Sequence, residues 1–283
     1  MKELNTIQKL NIESGFPELD KITHGWSNGN LIVIGGRPAI GKTAFGVSLL
    51  REISIKNRIP TVFFSLEMTN IQLTSRFLMR LSQVESEKIH DYQNNNFTTL
   101  SEEELYRIKN AENQIDIAPI YFDDTPSLTI QELYKKTIHL VSEFQVKLII
   151  IDYLQLMDSA GLSCSNRSEE IACIARGLKT LAKDLNIPII AFSQLNRNVE
   201  NRKGIDGKRP RLSDLCESYV TTQYADVVCL VHRPEYYRIY TDTEGNDLRD
   251  TAEIIVAQNM NGNTGIVRLK FDGEYSKFEN LAK

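Results

Sequence analysis

The chain has 283 residues, 41% of them hydrophobic, which is enough for a substantial core in one large α/β domain or two small ones and excludes global disorder. Its net charge is −4, so contact with nucleic acid has to come from a local basic patch and not from the field of the whole molecule. The four cysteines (Cys164, Cys173, Cys216 and Cys229) form no C-x-x-C pair, the opening MKELNTIQKLNI has no apolar leader, and no run approaches membrane length. Free thiols in a reducing cytosol, a soluble cytoplasmic protein and no membrane partner are expected.

Residues 1–12 are polar and read as a tail or the end of a linker, leaving 13–283 as the folded domain. A short helix near Phe16–Ile22 is followed by the apolar strand Leu31–Ile34. The next string, GRPAIGKT from Gly36 to Thr43, fits G-x-x-x-x-G-K-[ST], and Ala44 to Ile53 has helical spacing. Strand, glycine loop and helix is the context a phosphate-binding loop needs. Gly36, Arg37, Pro38, Ala39, Ile40, Gly41, Lys42, Thr43 and Ala44 then form the candidate cradle, with backbone N–H groups and a helix N-terminus facing the phosphates. Lys42 is placed to reach the β- and γ-phosphates, and the Thr43 hydroxyl to ligate Mg²⁺.

Beyond the loop the pattern alternates. Strand Thr61–Leu66 leads into Glu67, then a helix from Thr69 to Leu81, a polar loop from Gln93 to Leu100 and a helix from Ser101 to Gln114. Strand Ile120–Phe122 is followed by Thr129-Ile130-Gln131-Glu132, a capping-box pattern that opens a helix to about Glu143. Strand Val146–Ile151 ends in Asp152, helix Glu169–Leu185 follows, and Ile187–Phe192 is the next strand. Such alternation predicts a mainly parallel central sheet with helices on both faces. Asp226–Val231, Ala252–Ala257 and Gly265–Phe271 are strands with short connections. The last two suit an antiparallel hairpin through Asn261-Gly262-Asn263.

A carboxylate at the end of a buried strand, as Asp152 is, suits a Mg²⁺ site beside a phosphate loop. Glu67 and Gln194 also follow strands, at the sheet edge where ligands bind in open α/β folds. Each position suits either a surface side chain or a group facing the γ-phosphate, Glu67 as activator of a water and Gln194 as a sensor. Leu195 to Leu212 holds Arg197, Arg202, Lys203, Lys208, Arg209 and Arg211 against Glu200 and Asp206, the one marked basic cluster of the chain. A charge run is commonly a solvated loop; its start beside Gln194 favours a phosphate backbone. Asp158 to Ser168, with Arg167, is a second candidate loop.

Taken together, GRPAIGKTAF at 36–45, FFSLEM at 63–68, IIIDYLQLM at 149–157, SQLNRNVENR at 193–202, KRPRLSDL at 208–215 and NG-x-x-G-x-VRLKF at 261–271 resemble the C-terminal motor domain of bacterial replicative helicases of the DnaB type, superfamily four. The resemblance runs over nearly the whole chain. It implies a RecA-like P-loop NTPase of α/β class whose mainly parallel sheet ends in antiparallel strands. It also implies a homo-hexameric ring that hydrolyses ATP with Mg²⁺ at subunit interfaces and moves on single-stranded DNA. In that frame Glu67 is the catalytic base, Gln194 the γ-phosphate sensor beside Lys42, and Thr43 and Asp152 the metal residues. Arg167, Arg197, Arg202, Lys203, Lys208, Arg209 and Glu217 fall at the central channel. Primase or a helicase loader would meet the family's N-terminal domain, which this chain lacks, so a fragment or a lone motor domain is expected.

Two strings depart from the pattern. Where the family has K-Q-R-N-G, with charges that reach the neighbour's γ-phosphate, this chain has Gln258-Asn259-Met260-Asn261-Gly262. Where it has R-E-S-G, this chain has Cys216-Glu217-Ser218-Tyr219. The alternative these leave open is a RecA-like paralogue that binds ATP and DNA or partners without efficient unwinding.

Overall fold

The structure, a computed structural model, describes residues 11–159, 166–216 and 218–281. The chain enters the fold at Ile12, which exchanges backbone hydrogen bonds of 2.9 and 2.8 Å with Trp26 and is buried. Helix α1 (Pro17–Thr23) starts on a proline and stops where His24 turns left-handed. Strand β1 (Leu31–Gly36) is buried at every residue because it lies inside the sheet, between two parallel neighbours. Helix α2 (Lys42–Leu50) follows the phosphate loop directly and continues into a π-helical stretch, Arg51–Lys56.

Strand β2 (Thr61–Ser65), helices α3 (Asn70–Ser82), α4 (Ser86–Gln93) and α5 (Glu102–Asp116), strand β3 (Ile120–Asp123) and helix α6 (Ile130–Phe144) come next. Then follow β4 (Leu148–Asp152), α7 (Arg167–Leu185), β5 (Ile189–Gln194), the short helices α8 (Asn198–Asn201) and α9 (Ile205–Lys208), α10 (Ser218–Tyr224), β6 (Val227–His232), β7 (Thr251–Asn259), β8 (Gly265–Asp272) and β9 (Lys277–Asn280). The nine strands form one sheet in the order β3-β2-β4-β5-β1-β6-β7-β8-β9. From β3 to β6 every pairing is parallel; β6–β7, β7–β8 and β8–β9 are antiparallel. The expected mixed sheet is therefore present, with a fourth late strand, β9, that the short polar string KFEN does not advertise.

Alternation along β1 builds two cores. Ile32 and Ile34 pack with Phe45, Phe63 and Phe192 on one face; Leu31 and Val33 pack with Ile171, Leu178 and Leu181 of α7 on the other. The capping box expected at Thr129 is formed, with Thr129 N donating to Glu132 Oε2 at 3.0 Å and Glu132 N to Thr129 Oγ1 at 3.2 Å. Thr69 with Gln72 and Ser101 with Glu104 cap α3 and α5 in the same way, each cap contributing about 1 kcal/mol. A small third core of Leu78, Val84, Ile89, Ile108 and Ala111 joins α3, α4 and α5. Helix α4 is missing from the sequence reading because SEKIHDYQ buries only Ile89, too little for a periodic signal. Among the described residues no helix is long and apolar enough to cross a membrane.

Candidate active site

Parallel pairing sets the carboxyl ends of β1, β2, β4, β5 and β6 along one edge, so the residues after them meet without being near in sequence. A cleft of about 960 Å³ opens there, lined by Lys42, Thr43, Glu67, Gln194 and Arg233 among others. Its floor is the phosphate loop. Gly41 caps α2 with φ +109°, a conformation that strains any side chain. A Cβ on Gly36 would come within 2.8 Å of the Lys42 side chain, so the turn closes only around glycine.

Thr43 Oγ1 donates to Asp152 Oδ2 at 2.6 Å, uniting the two residues expected to serve a metal. Asp152 Oδ1 is buried with no hydrogen-bond partner. Burial raises the Asp152 carboxyl to about 6, against the opposing pull of Thr43 and Lys42. An orphaned, desolvated carboxylate oxygen beside a threonine hydroxyl fits a divalent cation. Among the described residues no cluster of three His, Cys, Asp or Glu could cage a metal ion. Lys42 Nζ donates to the Arg37 carbonyl at 3.2 Å, and burial lowers its pKa while Asp152 and Glu67 oppose the shift.

Glu67 is exposed on the cleft wall. Its neighbour Leu66 donates its N–H to the Asp152 carbonyl at 2.8 Å, fixing the two strand ends together. Gln194 also lines the cleft. Its backbone N–H donates to Gln155 Oε1 at 3.2 Å, and Gln155 Nε2 donates to Ser193 Oγ at 2.9 Å. Gln155 thus couples the turn after β4 to the end of β5, a role nothing in the string LQL announces.

The phosphate-loop residues divide. Pro38, Ala39, Gly41, Lys42, Thr43 and Ala44 line the cleft. Ile40 is a core residue, 1% exposed. Arg37 is also buried and bonds the Leu195 carbonyl and the Glu200 carboxylate, so its backbone and not its side chain belongs to the cradle.

Arg233, Phe271 and Arg80 are among the cleft residues that the sequence did not single out. The Arg233 guanidinium lies over the Phe271 ring, 3.6 Å from its centroid, in the wall beside Gly41. Arg80, 3% exposed, donates to the Ala44 carbonyl at 2.6 Å and Ser48 Oγ at 3.0 Å, and burial pushes its guanidinium down to about 9. All three become neighbours of the loop only through tertiary packing of α3, β6 and β8.

The basic residues also divide. Arg202 pairs with Asp214 at 2.6 Å. Arg209 forks onto the buried Glu253 with two bonds of 2.8 Å and reaches Asp206 at 2.7 Å. Lys208 donates to the Glu200 carbonyl at 2.6 Å, and Arg167 to the Gln155 carbonyl at 2.5 Å while pairing with Glu170. Arg197 and Lys203 are exposed and form no ion pair among the described residues. Glu217 lies outside the described residues. At the departed hairpin, Gln258 Nε2 donates to the Thr222 and Ala225 carbonyls at 3.0 and 2.8 Å, tying β7 to the end of α10, while Met260 is 58% exposed.

Residues 11–280 match the family model described as the DnaB-like helicase C terminal domain. The chain belongs to this family. It is 40% identical over 268 residues to a probable replicative DNA helicase of Trieres chinensis, covering 94% of this chain and 56% of that protein. It is 38% identical over 272 residues to the replicative DNA helicase DnaB of Geobacillus stearothermophilus, covering 96% and 57%. The chain thus spans little more than half the length of these relatives. Among solved structures, an ATPase domain superposes with a TM-score of 0.86 at 31% identity, covering 96% of this chain and 92% of that one. A DnaB-like replicative helicase, solved in a study of its interactions with primase, gives 0.85 at 31% identity, covering 96% and 62%. The fold is therefore that of a DnaB-type helicase ATPase domain.

Proposed function

We propose that the cleft binds ATP with Mg²⁺ and hydrolyses it, and that the chain uses this turnover as the motor of a ring, a homo-hexamer, moving on single-stranded DNA. The observation that carries the reading is the meeting of Lys42, Thr43, Glu67, Asp152 and Gln194 around one cleft from four separate strand ends. Backbone N–H groups of the loop and the start of α2 hold the β-phosphate. Lys42 leaves the Arg37 carbonyl for the polyphosphate, whose negative charge restores the ammonium that burial disfavours. Thr43 and Asp152 would hold Mg²⁺, which neutralises phosphate charge when bound. The exposed Glu67 carboxylate takes the proton of the attacking water as its oxygen bonds to the γ-phosphorus, and ADP leaves. Gln194, a neutral amide, donates to the γ-phosphate and registers its departure. The Arg233–Phe271 pair offers a stacking wall for the adenine.

Single-stranded DNA is assigned to the segment 195–216 and to Arg167 at the start of α7, with Arg197 and Lys203 as the cations free to meet phosphates. A primase or helicase loader would be met by parts of the helicase that this chain does not match. Cytoplasmic location completes the reading. Because Gln258 is engaged by α10 and Met260 carries no charge, neither position supplies a cation to a neighbour's cleft, and turnover rises weakly on assembly. The test is ATP turnover against protein concentration, with and without single-stranded DNA, for the parent and for Gln258→Lys with Met260→Arg. The parent should hydrolyse ATP slowly and faster with DNA, and the double substitution should raise the rate at least about tenfold where rings form and not where monomers dominate. A parent that neither binds nor hydrolyses ATP overturns the reading. A fast, steeply concentration-dependent parent that the substitutions leave unchanged places the cation that reaches the neighbour's γ-phosphate on another residue.

A further inference from the structure

Position 37 is one of the unrestricted sites of G-x-x-x-x-G-K-[ST], where phosphate binding asks for no particular side chain. Here it is an arginine only 6% exposed, and its guanidinium bonds the segment after β5. Nη1 donates to the Leu195 carbonyl at 2.7 Å, and Nε donates to Glu200 Oε1 at 2.7 Å, with Nη2 also 2.7 Å from that oxygen. A buried guanidinium forked onto a carboxylate is a directional contact that does not slide.

Both ends of the pair connect onward. The Arg37 carbonyl accepts from Lys42 Nζ at 3.2 Å, and the Gly36 carbonyl accepts from Leu195 N at 3.3 Å. The Glu200 carbonyl accepts from Lys208 Nζ at 2.6 Å, and Lys208 also lies over the Tyr237 ring, 5.6 Å from its centroid. One unbroken series of contacts therefore runs from Lys42 through Arg37 and Glu200 to Lys208. A nucleic-acid phosphate that draws Lys208 from the Glu200 carbonyl loosens α8 at one end. A polyphosphate that draws Lys42 from the Arg37 carbonyl acts at the other. Lys208 sits on the Glu200 carbonyl here, and a nucleic-acid phosphate is the competing acceptor for its ammonium.

We propose that Arg37 and Glu200 are positioning residues, and that their ion pair makes the setting of the phosphate loop depend on whether the segment 195–216 holds single-stranded DNA. This rests on the reading of that segment as the DNA-facing one. Glu200 is the side to vary, because its side chain is 38% exposed while that of Arg37 is 7% exposed.

The experiment measures ATP turnover of the full chain along a titration with oligothymidylate, and oligothymidylate affinity by fluorescence anisotropy, for the parent, Glu200→Ala and Glu200→Gln. Glu200→Ala should keep the DNA-free rate and the affinity of the parent and lose about tenfold of the stimulation at saturating DNA. Glu200→Gln keeps an acceptor for Arg37 without the charge and should fall between the two. If Glu200→Ala fails to fold, Glu200→Gln carries the comparison alone. Stimulation equal to the parent's in every folded variant overturns the proposal. So does a rate that falls by the same factor with and without DNA, which marks a merely structural contact. A parent that binds the oligonucleotide but is not stimulated by it also overturns the proposal and spares the DNA reading. A parent that shows no anisotropy change fails that reading itself.

Discussion

His232 ends β6 with 1% of its surface exposed, neither ring nitrogen bonded, and its ring stacked 5.6 Å from Tyr237. Burial pulls its pKa down to about 4, with Glu253 raising and Arg209 lowering it. Between about 4 and the unfolded value of 6.5 the unfolded chain holds a proton that the folded chain refuses. The contribution to stability is therefore complete above 6.5 and is lost as pH falls towards 4, by about 3 kcal/mol. Urea unfolding of the parent should weaken from pH 7.5 to pH 5, and His232→Phe, which keeps a stacking ring and removes the titration, should lose less over the same interval. Equal losses in both proteins would show that other groups govern the acid limb. Residues such as His232, Arg233 and Gln155 were not legible in the sequence, because each acquires its role from a partner on another element. The places of Lys42, Thr43, Asp152, Glu67 and Gln194 at the strand-end edge were legible, since a strand end next to a phosphate loop already assigns them an edge and a neighbour.

The segment from Leu195 to Cys216 shows how an element can be read correctly as basic and still hide its own wiring. In the sequence it is a run of cations; in the fold two of them hold the segment down. Arg202 satisfies the buried Asp214, and Arg209 satisfies Glu253, which is 2% exposed. Removing Arg202 leaves the buried Asp214 with the Arg211 N–H but no cation, and removing Arg209 leaves Glu253 with only the longer 3.8 Å contact to Arg268, at a cost of about 3 kcal/mol or less. Arg202→Ala and Arg209→Ala should therefore lower the melting temperature clearly. Arg197→Ala with Lys203→Ala should leave melting unchanged, weaken binding of single-stranded DNA and reduce the magnitude of the salt slope by roughly 1.4. An unaltered slope in that double variant would move the DNA contacts elsewhere. Elements with strong periodicity or a capping box, such as α6 and α7, were placed to within a few residues. Helix α4 and strand β9 were not seen, because each is short and one offers a single buried residue while the other reads as polar.

On the scale of the whole molecule, topology does what no local motif can. The central position of β1, with β5 and β4 to one side and β6 to the other, brings five strand ends to one edge and leaves a cleft there. The same order brings the β7–β9 strands round so that Phe271 and Phe278 close over Gly41. The parallel half was evident from strand–helix alternation. The closing of the C-terminal strands over the phosphate loop was not, since it depends on β6 pairing with β1 across the full chain. The claim on which the account turns is that this one cleft both binds and hydrolyses ATP, with Lys42 serving binding and Glu67 serving the bond-breaking step. Retention of labelled ATP and release of labelled phosphate should be measured together for the parent, Lys42→Ala and Glu67→Gln. The expected result is ATP neither held nor cleaved by Lys42→Ala, and ATP held uncleaved by Glu67→Gln, with phosphate release reduced at least about a hundredfold. Phosphate release by Glu67→Gln at the rate of an active parent would contradict the account.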